Sequence, residues 1–265
     1  MGTGQSGRLR WGAIVLATML LLPAEVLASS TVVSDPVDRS EIPTTAPTAF
    51  IAEKRAVSES LQARRALPAS MVLPTRARQQ TTDYNCGPAV AQVIINYTHG
   101  ILSTNNAGDD RTTNWTTQAT LSRWMNTSVL YGTGGAAVTE GLNHAGGLRK
   151  PFPAWAYDYD QTGSRKDLHD KIVTDIAIYE MPLAIAINPH MAKAGIYQLA
   201  SWPDERPLAR HWIAVRGYEG LWGSPFPIVH YSDSSAGYGG GTGNYWDLSL
   251  VIHETNDRNY GRIIW

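Results

Sequence analysis

Cys86 is the only cysteine in this chain of 265 residues, and it lies where the sequence predicts the start of a helix. Asn85 is a candidate N-cap, Pro88 falls in the first turn, and apolar residues follow at helical spacing as far as Tyr97. The exposed N–H groups and the dipole at a helix N-terminus favour a thiolate over a thiol. The position therefore predicts an activated nucleophile, with an inert buried thiol and a dimer bridge as the alternatives.

A base for this thiol is predicted at His211, which opens the apolar stretch HWIAVRGY, while Asp233 closes the stretch PIVHYSD. If the stretches form a hairpin centred on Trp222, these two residues lie directly opposite each other, with Cβ atoms about 4.5–5.5 Å apart. We expect the Asp233 carboxylate to accept the Nδ1–H of His211 and so to direct Nε2 towards the thiol. His230 is out of phase with Asp233 and is expected on the other face. The alternatives are an ordinary sheet residue at His211 and a turn residue at Asp233.

A donor for a developing oxyanion is predicted at Gln80, in the segment that leads into the helix of Cys86. The side-chain amide of Gln80 and the backbone N–H of Cys86 together could hold the negatively charged oxygen of a tetrahedral intermediate. The neighbouring Gln79 is expected to face elsewhere.

These residues carry a resemblance to a known family. The string QTTDYNCGPA, residues 80–89, resembles the entry motif of cysteine peptidase family 39 and its secreted relatives, and its Gln-x5-Cys spacing is that of papain-like peptidases. The stretches that contain His211 and Asp233 resemble the histidine and aspartate strands of the family. The resemblance covers residues 71–265 and implies a papain-like fold, a triad of Cys86, His211 and Asp233, and Gln80 as the oxyanion donor.

The sequence also departs from the usual motifs of family 39 and of a related peptidase type. The family often has Asp-Pro at the last triad position, whereas Asp233 is followed by two serines. Well-known members precede peptide-exporting transporters and cut after a double glycine, and the absence of transporter segments means that this specificity is not carried over. Cell-wall peptidases of the NlpC type usually have Asp-Cys-Ser-Gly at the nucleophile. This chain has Tyr-Asn-Cys-Gly-Pro there, so it resembles them less than it resembles family 39.

The elements that must position these residues follow from hydrophobic periodicity. Helices are predicted over residues 85–100, 117–125, 136–145 and 166–179, with Gly100 as the stop of the first. Strands are predicted over residues 182–188, 211–218, 227–233 and 262–265. Helices first and strands late predict an α+β fold, and the resemblance specifies a papain-like fold in which the nucleophile helix packs on an antiparallel sheet.

Three regions are predicted along the chain. Residues 1–28, with a basic start and an apolar run over 13–22, predict a secretory signal peptide, because the run is shorter than the roughly 20 residues of a membrane span. A retained anchor is the alternative. Residues 29–70 predict a linker or pro-segment with a weak helix over 52–66, either a disordered spacer or an inhibitory segment. Residues 71–265 are predicted to form the peptidase domain.

The composition limits which partners, metals and cofactors we expect this chain to bind. A net charge of −1 argues against a nucleic-acid partner, and a single cysteine excludes an intramolecular disulfide and a cysteine-cluster metal site. We expect no cofactor, no metal and no membrane association after signal cleavage; the oligomeric state is left open, and the excess of Arg over Lys favours a bacterial source. The sequence thus predicts a secreted cysteine peptidase that hydrolyses peptide or related amide bonds in a peptide or protein substrate. The alternatives are an acyltransferase or transpeptidase with the same triad, and a non-catalytic module that binds peptide or glycan.

Overall fold

Helices and strands alternate irregularly along the chain. The computed structural model describes residues 48–61, 67–103, 107–144, 147–149, 156–162, 164–187, 211–220, 228–235, 242–246 and 262–265. Within them the helices are α1 (Ala49–Glu59), α2 (Cys86–Thr98), α3 (Gln118–Trp124), α4 (Gly135–Asn143) and α5 (Arg165–Val173), and α5 continues into a π-helical segment, Thr174–Ile178. The strands are β1 (Ser70–Val72), β2 (Tyr159–Gln161), β3 (Leu183–Ile187), β4 (His211–Glu219), β5 (Ile228–Ser232), β6 (Thr242–Trp246) and β7 (Arg262–Ile264).

Every helix and strand predicted from the sequence has a counterpart in this set, with ends that differ by a few residues. The predicted helix over 166–179 is divided between α5 and the π-helical segment. The predicted signal peptide over 1–28 lies outside the described residues. Among the described residues, none of the helices is both long and apolar enough to cross a membrane.

The strands form one antiparallel sheet in the order β2-β7-β3-β4-β5-β6. On the remaining edge of β4, β3 pairs with residues 211–215 and β1 continues alongside residues 217–219. The pairing of β4 with β5 changes register between Val215 and Gly217, so Arg216 forms a β-bulge. Strand β4 is therefore paired along both edges, and His211 lies at its first residue, opposite Ile187.

Both faces of the sheet are buried, because successive residues of β3 and β4 alternate between two hydrophobic clusters. On one face the strands pack against α5 and the π-helical segment, and on the other they pack against α2, α3 and α4. The first cluster includes Leu183, Ile185, Ile213 and Val215, and the second includes Ala184, Trp212 and Ala214. Cys86 belongs to the second cluster, so the α+β class and the packing of α2, the helix that begins at Cys86, on an antiparallel sheet are confirmed.

Helix α2 ends as the sequence predicts. Gly100 has φ of 70°, a left-handed conformation that glycine adopts without a Cβ penalty. Its N–H donates to the carbonyl of Tyr97 at 2.9 Å, and the N–H of Ile101 donates to the carbonyl of Asn96 at 2.8 Å. This pair of bonds is a Schellman motif, which satisfies the last carbonyls of the helix.

Helix α1 lies within the predicted linker or pro-segment and packs against the rest of the fold. Lys54 is 1% exposed, and its ammonium lies 2.8 Å from the carboxylate of Asp175 in the π-helical segment. The ammonium also donates to the carbonyl of Ala156 at 3.3 Å. Four ring centroids surround it at 5.3–5.9 Å, those of Phe50, Tyr157, Tyr179 and Trp265. The weak helix predicted over 52–66 begins earlier than expected, and residues 62–66 lie outside the described residues; the boundary at 71 stays a prediction.

We predict that Asp175→Ala lowers the free energy of unfolding by about 3–5 kcal/mol, because it leaves a buried ammonium without its counter-charge. Burial raises the pKa of Asp175 to about 6 against the pull of Lys54, and burial likewise lowers the pKa of Lys54 against the pull of Asp175. The pair as a whole is therefore costly to bury, and the double variant Lys54→Met/Asp175→Leu should recover most of the loss. Urea denaturation gives the free energy of unfolding of the parent, of Asp175→Ala and of the double variant. A value for Asp175→Ala within about 1 kcal/mol of the parent contradicts this expectation.

Candidate active site

Three of the predicted residues meet in one buried cluster at the first residue of α2, the first residue of β4 and the end of β5. Nε2 of His211 lies 2.7 Å from Oδ1 of Asp233, and the two side chains are 4% and 1% exposed. The N–H of Ser235 donates to the same carboxylate oxygen at 2.9 Å. The sequence prediction assigned Nδ1 to this contact and is wrong in that detail, since the far nitrogen of the ring makes it.

The register of β4 against β5 explains the difference. Ala214 pairs with Ser232 and Val215 with Tyr231, so His211 and Asp233 are not directly opposite each other. Continuing this register places Asp233 two residues away along the strand, on the same face, as a diagonal neighbour about 7–8 Å from His211. The more distant Nε2 can span that gap. The predicted hairpin centred on Trp222, which lies outside the described residues, is wrong because Glu219 pairs with Ile228. The bulge at Arg216 shifts the register back by only one residue, so Asp233 still lies two residues from the position opposite His211.

Cys86 occupies the other side of the imidazole. Its sulfur is hydrogen-bonded to the side chain of His211 and to the backbone N–H groups of Trp212 and Gly87. Because Nε2 of His211 is engaged with Asp233, the contact with sulfur falls to Nδ1. The imidazole therefore bridges the thiol and the carboxylate, which is the order of groups that the sequence predicts.

The charges of this cluster are set by the balance between burial and partners. Burial by itself raises the pKa of Cys86, but the hydrogen bond and charge of His211, with the N–H groups of Trp212 and Gly87, lower it overall. Burial by itself lowers the pKa of His211, but Asp233 and Cys86 raise it to about 10. Both shifts favour the thiolate of Cys86 and the imidazolium of His211 over the neutral pair.

The N-terminus of α2 favours the thiolate of Cys86, but the side chain of the N-cap residue does not act as the sequence predicts. Asn85 is at the N-cap position, as predicted, but its side chain does not cap the helix. Instead it donates to Oγ1 of Thr81 at 2.8 Å and accepts from the hydroxyl of Ser122 at 3.1 Å. No side-chain cap competes for the first-turn N–H groups, and that of Gly87 reaches the sulfur.

Close packing fixes the backbone next to Cys86. A Cβ at Gly87 would lie 2.7 Å from Cβ of Thr133, so no larger residue fits there without movement. The carbonyl of Thr133 accepts the indole N–H of Trp212 at 2.9 Å, and Trp212 is buried in the same cluster as Cys86. Sequence reasoning missed Thr133, because no periodicity or spacing marks a loop residue that acts through its carbonyl and its bulk.

Gln80 lies beside the aspartate segment. Its N–H donates to the carbonyl of Ser234 at 2.8 Å, and its Oε1 accepts from the hydroxyl of Ser234 at 3.2 Å. One hydrogen of its amide is engaged with the carbonyl of Thr82 at 2.9 Å, and the amide nitrogen carries a second. The structure thus links Gln80 to the residue that follows Asp233, and its role as an oxyanion donor stays a prediction.

His230 lies outside this cluster. Nε2 of His230 lies 2.8 Å from the carboxylate of Glu219. This ring nitrogen is therefore engaged by a residue that does not belong to the cluster of Cys86, His211 and Asp233. Within the part of the chain that the structure describes, no group of three or more His, Cys, Asp or Glu residues is placed to hold a metal ion.

Neither a protein-family model nor a curated protein sequence matches this chain. Among solved structures, the recombinant stem bromelain precursor is similar with a TM-score of 0.43 and 12% identity, over 76% of this chain and 70% of that one. The bromelain protease from Ananas comosus, in complex with the E64 inhibitor, is similar with a TM-score of 0.42 and 13% identity, over 74% of this chain and 98% of that one. The functional inference therefore rests on the contacts of Cys86, His211 and Asp233.

We predict that iodoacetamide alkylates Cys86 with a pH midpoint below the ordinary thiol value of about 8.5, because His211 lowers its pKa. In His211→Ala the midpoint should rise to the ordinary value or above, since burial then acts without its opposing charge. Intact mass reports this single cysteine directly. His230→Ala is the matched control and should leave the midpoint unchanged. A midpoint shared by the parent and His211→Ala contradicts the ion pair.

Proposed function

We propose that this protein is a secreted, papain-like thiol hydrolase of the family 39 type that cleaves peptide or related amide bonds. The observation that carries the proposal is the chain of contacts from the sulfur of Cys86 through the imidazole of His211 to the carboxylate of Asp233. A nucleophile, a base and an orienting group in this order are the parts that acyl transfer through a thioester requires.

In the proposed reaction the Cys86 thiolate attacks the carbonyl carbon, and the electron pair of the C=O bond moves to oxygen. The backbone N–H of Cys86 and the side-chain amide of Gln80 are the proposed donors to that oxyanion. As the C=O bond re-forms, the C–N bond breaks and the imidazolium of His211 gives its proton to the leaving amine, which produces a thioester. Water, deprotonated by His211, then attacks the thioester and releases the acid and the thiolate.

Asp233 is proposed to orient the imidazole rather than to exchange protons. Its carboxylate holds Nε2 of His211, which leaves Nδ1 directed at sulfur, and the N–H of Ser235 fixes the carboxylate in turn. The charge of Asp233 also raises the pKa of His211, so that the imidazolium persists until an amine is ready to leave.

The proposal needs no cofactor, because side chains and backbone groups of the chain supply the nucleophile, the acid–base and the oxyanion donors. Export rests on the sequence of residues 1–28, with its basic start and short apolar run. The expected substrate is a peptide or protein, and neither a nucleic acid nor a membrane is expected as a partner.

A library of internally quenched fluorescent peptides, incubated with the purified protein, tests this function. We predict hydrolysis by the parent protein, none by Cys86→Ala, and a rate about 10²- to 10⁴-fold lower for His211→Ala, which lacks the acid–base group. His230→Ala is again the matched control and should retain the parent rate.

Two results contradict the proposal. One is hydrolysis that persists in Cys86→Ala, which would place the chemistry elsewhere. The other is peptide binding that is identical in the parent and Cys86→Ala, without cleavage of any bound peptide, which would indicate a binding module.

A further inference from the structure

Gln118, the first residue of α3, contacts the backbone on both sides of Gln80. Its Oε1 accepts the N–H of Thr81 at 2.9 Å, and its Nε2 donates to the carbonyl of Gln79 at 2.8 Å. The side chain is buried, with 0% of the residue exposed. One side-chain amide thus makes the same pair of bonds that a neighbouring strand would make, and residue 80 lies between them.

The orientation of the Gln118 amide is fixed by a second layer of contacts. Its Nε2 also donates to Oε1 of Gln92 on α2 at 3.1 Å. Gln92, likewise 0% exposed, donates through its own Nε2 to the carbonyls of Gly108 at 2.6 Å and Thr116 at 2.7 Å. Both hydrogens of the Gln118 amide therefore have acceptors, and a flipped amide would set oxygen against oxygen.

The space around this amide is as restricted as its hydrogen bonds. A Cβ at Gly108 would lie 2.2 Å from Nε2 of Gln118 and 2.9 Å from the carbonyl oxygen of Gln79. A larger residue at Gly108 would therefore push directly on the contact between Gln118 and the backbone beside Gln80.

Residue 80 is held from the other edge by the aspartate segment. Its N–H donates to the carbonyl of Ser234. Ser234 and Gln118, which are distant in sequence, therefore hydrogen-bond to the same short stretch of backbone. A side chain whose backbone is anchored on both edges has few positions available, and placement within fractions of an ångström is what an oxyanion donor requires.

We propose that Gln118 is a positioning residue for Gln80, fixing the backbone from which the Gln80 amide reaches the oxyanion. This inference rests on the proposed function, since it takes Gln80 as an oxyanion donor. Gln118 touches neither the substrate nor the thiol in this account and acts through Gln80 alone. Its loss should therefore weaken a tetrahedral adduct while the charge state of Cys86 stays the same.

The test compares two reactions of Cys86. The aldehyde N-acetylglycinal adds reversibly: sulfur bonds to the carbonyl carbon, and the electron pair of the C=O bond moves to an oxygen that takes the oxyanion position. Iodoacetamide instead loses iodide as sulfur bonds to its methylene carbon, and it develops no oxyanion. Protection by the aldehyde against alkylation gives its dissociation constant, and alkylation alone gives the state of the thiolate.

We expect Gln118→Glu to raise the aldehyde dissociation constant about 10- to 100-fold, because a carboxylate cannot donate to Gln79 and Gln92 and the backbone beside Gln80 moves. In a Gln80→Ala background the same substitution should change it less than about 2-fold. The alkylation rate and its pH midpoint should be unchanged throughout. Gln161→Glu, the same substitution at an exposed strand position, is the matched control and should have no effect.

Each other outcome has a distinct meaning. An equal loss of aldehyde affinity with and without Gln80, or no loss at all, overturns the positioning role. Gln80→Ala with the parent affinity overturns it as well, because Gln80 is then not an oxyanion donor. A parent thiol with an ordinary pH midpoint overturns the proposed function itself. If Gln118→Glu does not fold, Gly108→Ala displaces the same amide without adding charge and should give the same dependence on Gln80.

Discussion

The imidazole of His211 lies between a thiol and a carboxylate, and the arrangement of the site depends on that placement. Because Asp233 holds Nε2, the remaining ring nitrogen meets Cys86 at the start of α2. Strand β4 must therefore begin where helix α2 begins, and β5 must end beside both. The antiparallel pairing of β4 with β3, β1 and β5 and the packing of α2 on the sheet satisfy this requirement together.

Burial favours neutral groups both at the pair of Lys54 and Asp175 and at the site of Cys86 and His211, but the balance between burial and partners differs. For Lys54 and Asp175, burial outweighs mutual attraction, and the pKa of each residue moves towards its neutral form. At the site the partners outweigh burial, and the pKa values move towards thiolate and imidazolium. The difference lies in added donors: the thiolate has two backbone N–H groups besides the imidazolium, and Asp233 receives the N–H of Ser235. Preorganised backbone dipoles are what make a buried ion pair favourable.

The sequence predicted which residues come together better than it predicted the atoms that make their contacts. Cys86, His211 and Asp233 were identifiable because a helix start and strand ends leave signals within a few residues. The register was not, because it depends on the pairing of Glu219 with Ile228 and on the bulge at Arg216. The bulge lies where β4 changes partner from β3 to β1, and that exchange involves segments distant in the chain. The interactions of Asn85 and Gln118 were not predicted from the sequence, for the same reason. Their partners lie on other elements, and a buried amide that binds backbone carries no recognisable motif.

The central claim is that Cys86 and His211 form a thiolate and imidazolium under the control of Asp233. The most direct measurement is NMR of the ring nitrogens in protein labelled with ¹⁵N-histidine, with His211→Gln used to assign the signal. We predict that both ring nitrogens of His211 carry protons at neutral pH and remain so until the pH approaches about 10. In Cys86→Ala the proton should be lost at lower pH, because the thiolate no longer stabilises it. A neutral imidazole at pH 7 in the parent protein would contradict the account.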